Sequence, residues 1–192
     1  MLTRRTFLQT TTLALAVPAA NKLHATLTTP AAVRLQVITD HACRDGRLFH
    51  RALPALAARL DVDAGAYLQS ITAGLARHDI DRLLGLTRNS DFILLSQTAY
   101  EHGYRLVYQG QHQYLDGSVR HILSADREVV EEVAAALADR GSDWPLALAR
   151  ALPRLTQSGG QAARAVTRAP AMRPADSQGF LLSWVFARGT PA

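Results

Sequence analysis

Residues 33–39 read VRLQVIT and residues 80–87 read IDRLLGLT, and these two runs decide the fold. Each is short and rich in apolar side chains, which favours a buried strand. Helical spacing of apolar residues follows the first run over 44–60, recurs over 65–77, and follows the second run over 89–103. With a further short strand within 60–63, this alternation predicts parallel strands joined by crossover helices.

The next segment predicts an antiparallel hairpin over residues 104–123. Asp116-Gly117 is a strong signal for a two-residue turn between two strands. Such a turn also fixes the register. Four facing pairs are expected, namely Leu115 with Ser118, Tyr114 with Val119, Gln113 with Arg120, and His112 with His121.

The rest of the chain predicts two more helices, over 124–141 and 143–155, and a final strand over 180–186. The Gly-, Pro- and Ser-rich residues near 156–178 have weak periodicity and are expected to form a flexible loop. We therefore predict a single α/β domain over 26–192. Its mixed sheet has a parallel βαβ half and an antiparallel hairpin, with helices on both faces.

The amino terminus carries a targeting motif. Residues 3–9 read TRRTFLQ, and an apolar stretch then runs to Val17. With Arg4 and Arg5 before the apolar stretch, residues 1–25 resemble a twin-arginine (Tat) signal peptide. The resemblance implies recognition by the Tat translocase, export of a folded chain to the periplasm and removal of the signal.

Composition excludes several cargoes of that pathway. Cys43 is the only cysteine, so no disulfide can form within the chain. No iron–sulfur cluster is expected, because such clusters are usually held by four thiolates, and no Cys-x-x-Cys-His motif offers covalent haem attachment. The net charge is +5, or +3 without Arg4 and Arg5, which argues against a nucleic-acid partner. No membrane span is expected after cleavage.

Polar residues follow the first and third predicted strands, where α/β proteins bind ligands. The candidates are Asp40, His41 and Arg44 after the first strand, and Thr87, Arg88 and Asn89 after the third. These side chains and the helix N-termini suit a small carboxylate or phosphate. Helix capping and solvated arginines are the structural alternative. Cys43 is either a thiol paired with His41 or a small packed residue.

The hairpin register offers a second candidate. Directly opposed His112 and His121 could hold Zn²⁺ or Cu²⁺, although the hairpin supplies no third ligand. The alternative is an exposed or half-buried pair beside Tyr108 and Tyr114.

These features lead to three functional expectations. The first is an exported accessory or small-ligand-binding protein, associated with an exported oxidoreductase system. The second is a small periplasmic enzyme, a hydrolase or isomerase, with its site at the strand ends. The third is a metalloprotein using His112 and His121. The chain has no Gly-x-Gly-x-x-Gly, Walker-type or Gly-x-Ser-x-Gly motif to support nucleotide binding or an α/β-hydrolase.

Overall fold

The structure is a computed structural model that describes residues 33–55, 57–62, 66–155 and 161–189. Arg4, Arg5 and the rest of the signal-like segment lie outside these residues. The strands are β1 (Leu35–Thr39), β2 (Ala58–Asp61), β3 (Arg82–Thr87), β4 (Tyr104–Leu115), β5 (Ser118–Asp126), β6 (Ala162–Pro170) and β7 (Phe180–Arg188). The helices are α1 (Arg44–Ala52), α2 (Tyr67–Ala76), α3 (Asn89–Glu101), α4 (Arg127–Leu137) and α5 (Trp144–Ala151), with short 3₁₀ turns at Gly141–Asp143 and Leu152–Arg154.

All seven strands form one sheet in the order β2-β1-β3-β7-β4-β5-β6. The first three strands are parallel, and the remaining pairings are antiparallel. This confirms the predicted mixed sheet. The final strand, β7, lies between the two halves, a position that the sequence did not indicate.

Helices cover the sheet on both faces, as predicted. One core contains Phe49 of α1, Val133 of α4 and Trp144 of α5. The other contains Ile71 of α2 and Leu95 of α3. None of the described helices combines the length and apolar character that a membrane crossing requires.

The hairpin register is confirmed at all four predicted pairs, including His112 opposite His121. Gly117 has a φ of 65°, a left-handed conformation that suits glycine in such a turn. The turn residues therefore fix which side chains meet across β4 and β5.

The expectation of a loop near 156–178 is wrong in its middle, because residues 162–170 form β6, which pairs along the whole of β5. Residues 156–160 lie outside the described residues. The strand has little apolar alternation because α4 covers it through small side chains such as Ala163, Ala165 and Ala169. Its other face is exposed, so the sequence has little need of large apolar residues there.

Candidate functional site

The loops after β1, β2 and β3 meet at one edge of the sheet. These three strands are parallel, and β1 is paired with both of the others. Thr39 at the end of β1 lies opposite Asp61 of β2 and Leu86 of β3. Residues that follow these strands are therefore brought together, as the sequence predicted for the first and third.

Asp40 and Arg88 form an ion pair at this edge. The Arg88 Nε donates to the Asp40 Oδ2 at 2.7 Å, and the other carboxylate oxygen accepts the Ala42 N–H at 2.9 Å. The Asp40 side chain is fully buried, whereas that of Arg88 is 40 % exposed. The buried carboxylate thus holds a guanidinium whose outer part faces solvent.

Gly46 allows α1 to approach this loop closely. A β-carbon at this position would lie 1.8 Å from the carbonyl oxygen of Asp40, which is a backbone atom. Neither partner is a flexible side-chain end, so only glycine fits without moving the loop. The packing of α1 therefore helps to fix the position of Asp40.

His41 is oriented by Asp61 rather than by Asp40. The His41 Nδ1 lies 3.0 Å from the Asp61 Oδ2, and the backbone N–H of His41 donates to the other carboxylate oxygen at 3.3 Å. A carboxylate at Nδ1 favours the tautomer whose lone pair is on Nε2. That Nε2 is buried and has no hydrogen-bond partner within reach. The dyad is thus arranged to accept a hydrogen bond or a proton.

A second imidazole lies beside the dyad. The rings of His41 and His50 are perpendicular, with centroids 4.3 Å apart. The His50 Nδ1 is 3.2 Å from the Thr39 Oγ1. Burial, followed by the nearby His41 and Arg59, lowers the pKa of His50. We call Asp40, His41, His50, Asp61 and Arg88 the edge cluster.

Three predicted residues stand apart from this cluster. Arg44 donates to the carbonyl oxygen of Ser142 at 3.1 Å, on the side of α5. Thr87 is buried and accepts the indole N–H of Trp184 at 3.1 Å, a structural contact. Asn89 is exposed at the first position of α3. The structure thus joins Asp40, His41 and Arg88 but directs Arg44 elsewhere.

Cys43 is a packed residue and the N-cap of α1. Its Sγ accepts the Gly46 N–H at 3.4 Å and donates to the Asp40 carbonyl at 3.5 Å. Burial raises the pKa of this thiol to about 11. A protonated, fully buried thiol is a poor nucleophile, so the geometry favours the packing alternative over a Cys43–His41 pair.

The hairpin histidines are deeply buried, which corrects the alternative of an exposed or half-buried pair. Their Nδ1 atoms lie 2.7 Å apart, and the ring of Trp144 stacks on His112 with centroids at 4.3 Å. Burial lowers the pKa of both, that of His121 to about 4. Both imidazoles are consequently neutral at neutral pH.

A series of hydrogen-bonded side chains runs from His112 across the sheet. The His112 Nε2 lies 2.6 Å from the Ser183 Oγ, which lies 3.1 Å from the Tyr108 hydroxyl. A β-carbon on Gly110 would lie 2.5 Å from both the Ser183 Oγ and the Tyr108 hydroxyl, so this glycine makes room for their side chains. Ser183, His112 and His121 have the order of a nucleophile, its base and an orienting group. However, Ser183 is fully buried in the central strand β7, so no substrate can reach it.

The donor set at this pair does not fit a metal. Within the described ranges, no group of three or more His, Cys, Asp and Glu residues is arranged to hold one. The two facing Nδ1 atoms are already joined by a hydrogen bond. The geometry therefore favours a structural role for His112 and His121.

Two surface clefts lie away from both histidine groups. One, of about 280 Å³, lies between α4 and α5. The other, of about 490 Å³, lies beside the irregular pairing of β4 near Val107. Neither cleft is lined by a residue of the edge cluster.

Comparison with protein-family models, with curated proteins and with solved structures finds no match to this chain. Functional inference consequently depends on the chemistry of the residues themselves. Sequence reasoning missed His50 and Asp61 as members of the edge cluster, and Ser183 as a partner of His112. The short strand within 60–63 was a signal for Asp61, because it placed an acid at another strand end.

Proposed function

We propose that the protein is exported through the Tat pathway and acts in the periplasm as an accessory or small-ligand-binding protein of an exported oxidoreductase system. The Arg4-Arg5 motif supports the export step. The only cysteine is buried and protonated, which supports a role beside a redox enzyme rather than as a thiol-based one. Redox chemistry would then belong to the partner.

The edge cluster carries the ligand-binding part of the proposal. The decisive observation is the buried His41 Nε2, which has no hydrogen-bond partner although Asp61 orients its ring. Buried polar atoms are nearly always satisfied, so this nitrogen favours a missing partner. The Nε2 of His121 is also unpartnered, but His121 is fully buried in the core, whereas the His41 side chain is 34 % exposed. Arg88 brings a positive charge to the same edge, and α1 and α3 begin beside it. A small carboxylate or phosphate that binds together with a proton matches these groups, because the Nε2–H of a protonated His41 donates to an anion while Asp61 balances the charge of the ring.

Thermal unfolding of the protein tests this binding site. Succinate and inorganic phosphate are the probes, and we expect at least one of them to raise the melting temperature with the logarithm of its concentration above the dissociation constant. His41→Gln should abolish the shift, because the amide cannot take a proton and binds the ligand differently. Arg44→Ala is the matched control and should keep the shift. Equal shifts in all three proteins would refute the site.

Export has a separate test. The full chain is expressed with Arg4→Lys and Arg5→Lys together, and the periplasmic fraction is compared with that of the unchanged protein. We expect the double variant to remain in the cytoplasm, because the Tat machinery recognises the arginine pair. Unchanged periplasmic accumulation would refute Tat export without bearing on the ligand site.

The His41–Asp61 geometry also favours a second candidate, a small hydrolase or isomerase. An imidazole whose Nδ1 is held by a carboxylate is suited to take a proton at Nε2. A panel of ester, phosphate-ester and hydroxy-acid substrates tests this activity. Turnover that is lost in His41→Gln and retained in Arg44→Ala would support it, and no turnover above the buffer rate would reject it.

A further inference from the structure

A second surface lies on the open face of β4, β5 and β6, which we call the platform. The helices α4 and α5 pack on the opposite face of these strands, through Val119, Leu123 and neighbouring apolar residues. The strand registers give the platform three rows, namely Gln109–Ser124–Arg164, Gln111–Ile122–Val166 and Gln113–Arg120–Arg168. Val166 is 63 % exposed, and Arg164 and Arg168 are exposed beside it.

The three rows of the platform carry Arg120, Arg164 and Arg168 and no carboxylate, so they are positively charged. Asp126, the last residue of β5, lies on the same face one row beyond and is the nearest acid along that strand. Arg120 donates to the amide oxygen of Gln113 at 2.7 Å, and Arg168 donates to the Ser118 hydroxyl at 2.8 Å. Both of these partners are neutral, so they leave the positive charge of the guanidiniums uncompensated.

Two of these charges directly oppose each other. Arg120 is the register partner of Arg168, and like charges facing across a sheet are destabilising. In addition, the Arg120 Nε is buried and has no hydrogen-bond partner. The fold therefore tolerates both a repulsive pair and an unsatisfied donor at one position. An anion bound at the exposed ends of these guanidiniums would relieve the repulsion between them.

We propose that the platform binds an extended, acidic segment of a partner protein. This inference deepens the accessory role proposed above and rests on it, since it names the surface through which the protein would dock its partner. Carboxylates of the segment bind Arg120, Arg164 and Arg168, and the glutamine side chains bind its peptide groups.

The spacing of the arginines matches a strand-like segment. Arg164 and Arg168 are four residues apart on β6, or about 13 Å at the rise of an antiparallel strand. An extended peptide presents its alternate side chains on one face with the same rise. Two acidic residues four positions apart would therefore reach both guanidiniums.

An acidic polypeptide suits the platform better than single-stranded nucleic acid. The middle row has the aliphatic Ile122 and Val166 at its centre and edge, and no residue of the three rows is aromatic. The exposed ring of Phe180 in β7 lies beside Gln113, at one end of the third row only. Surfaces that bind single strands use aromatic rings on which bases stack. Amide side chains and aliphatic centres instead match an extended peptide backbone and its side chains.

The test uses the full chain and a short, fluorescently labelled peptide of alternating Glu and Thr. Fluorescence anisotropy at low ionic strength measures its affinity. Arg164→Glu with Arg168→Glu should weaken binding about tenfold, because attraction becomes repulsion. The matched control is Arg51→Glu with Arg150→Glu, two exposed arginines of α1 and α5 that give the same net charge. We expect the control to change affinity less than about twofold.

Several results would overturn the proposal. One is that the unchanged protein does not bind the peptide. Another is that the two charge-reversed proteins lose peptide affinity equally. A third is that the protein binds an oligothymidylate more tightly than the peptide. A milder pair, Arg164→Gln with Arg168→Gln, repeats the measurement if charge reversal impairs folding. Export and ligand-induced stabilisation are measured in the separate assays above. A negative result for peptide binding to the platform is therefore distinguishable from a negative result for the proposed function.

Discussion

The protein contains two histidine pairs whose rings contact each other in similar ways but whose surroundings differ. His41 and His50 meet at 4.3 Å and 84°, whereas His112 and His121 meet at 5.0 Å and 65°. The first pair lies at the edge of the sheet beside a carboxylate. The second lies in the core and has only neutral partners.

The difference shows that burial and charge, rather than ring geometry, decide what a histidine pair can do. At the edge, Asp61 orients His41, whose side chain is 34 % exposed. In the core, burial lowers the pKa values of His112 and His121 and excludes substrates. We therefore propose that the edge cluster binds the ligand and that the core pair stabilises the fold.

The largest expected effect follows from disturbing the close approach of α1, at Gly46, to the loop that carries Asp40. Gly46→Ala would place a β-carbon 1.8 Å from the Asp40 carbonyl oxygen, so α1 or the loop must move. We expect a loss of more than about 4 kcal/mol in the free energy of unfolding, measured by urea denaturation.

Gly74→Ala in α2 is the control for this change. There the new β-carbon would meet only the side chain of Ile80, at 2.8 Å, and that side chain can shift. Alanine also favours the helix by about 1 kcal/mol, which offsets part of the crowding. If the two variants were equally stable, the close approach at Gly46 would not be a constraint.

The core pair should make stability depend on acidity. The pKa of His121 falls from 6.5 to about 4 on folding, so the folded protein opposes protonation that the unfolded chain accepts. Its stabilising contribution is complete above pH 6.5 and is lost as the pH falls toward about 4. For His121 alone, the loss is on the order of 3 kcal/mol.

Two variants isolate this effect from other acid-sensitive groups. Burial raises the pKa of Asp45, which adds a change of opposite sign as the pH falls toward the ordinary carboxyl value. Replacing His112 and His121 together by Leu should flatten the profile between pH 6.5 and 4, whereas the exposed His78→Asn should leave it unchanged. Identical profiles in all three proteins would remove the core pair as the cause.

A smaller effect is expected when the carboxylate of the edge cluster is neutralised. Asp61→Asn should cost less than about 1 kcal/mol of stability, because the ion pair with His41 is partly exposed. The same change should abolish stabilisation by succinate or phosphate, because His41 loses the group that orients it. Retained stabilisation would show that Asp61 does not position His41 for binding.

The smallest effect concerns the platform. Arg168→Glu should raise the free energy of unfolding by less than about 0.5 kcal/mol, because the opposite charge that it places beside Arg120 is partly offset by the lost hydrogen bond to Ser118. Arg164→Glu faces Ser124 and should bring no such gain. Chemical denaturation of the two variants compares them directly, and a loss of stability in Arg168→Glu would argue against repulsion at this pair.

The sequence predicted the fold wherever local signals were strong. The parallel strands had apolar runs, and Asp116-Gly117 fixed the hairpin register, so the pairing of His112 with His121 was confirmed. The edge strand β6 was missed because its buried side chains are small and its other face is exposed, so its sequence has little alternation of apolar and polar residues. The position of β7 between β3 and β4 depends on long-range packing, which no local signal encodes.

The site could be predicted only in part for the same reason. Asp40 and Arg88 meet because β1 and β3 are neighbours, an order that the alternating strands and helices leave open. The direction of the Arg44 side chain depends on α5, which packs against α1 from a distant part of the chain. Likewise, Ser183 reaches His112 only because β7 inserts beside β4.

The central claim is that the edge cluster, and not the core pair, binds a ligand. Backbone amide resonances recorded by NMR during titration with succinate and with inorganic phosphate test it most directly. We expect saturable shifts concentrated at residues 40–47, near Asp61 and at 87–89, with none at His112 or His121. Shifts centred on the core pair, or no saturable shift with either probe, would contradict it.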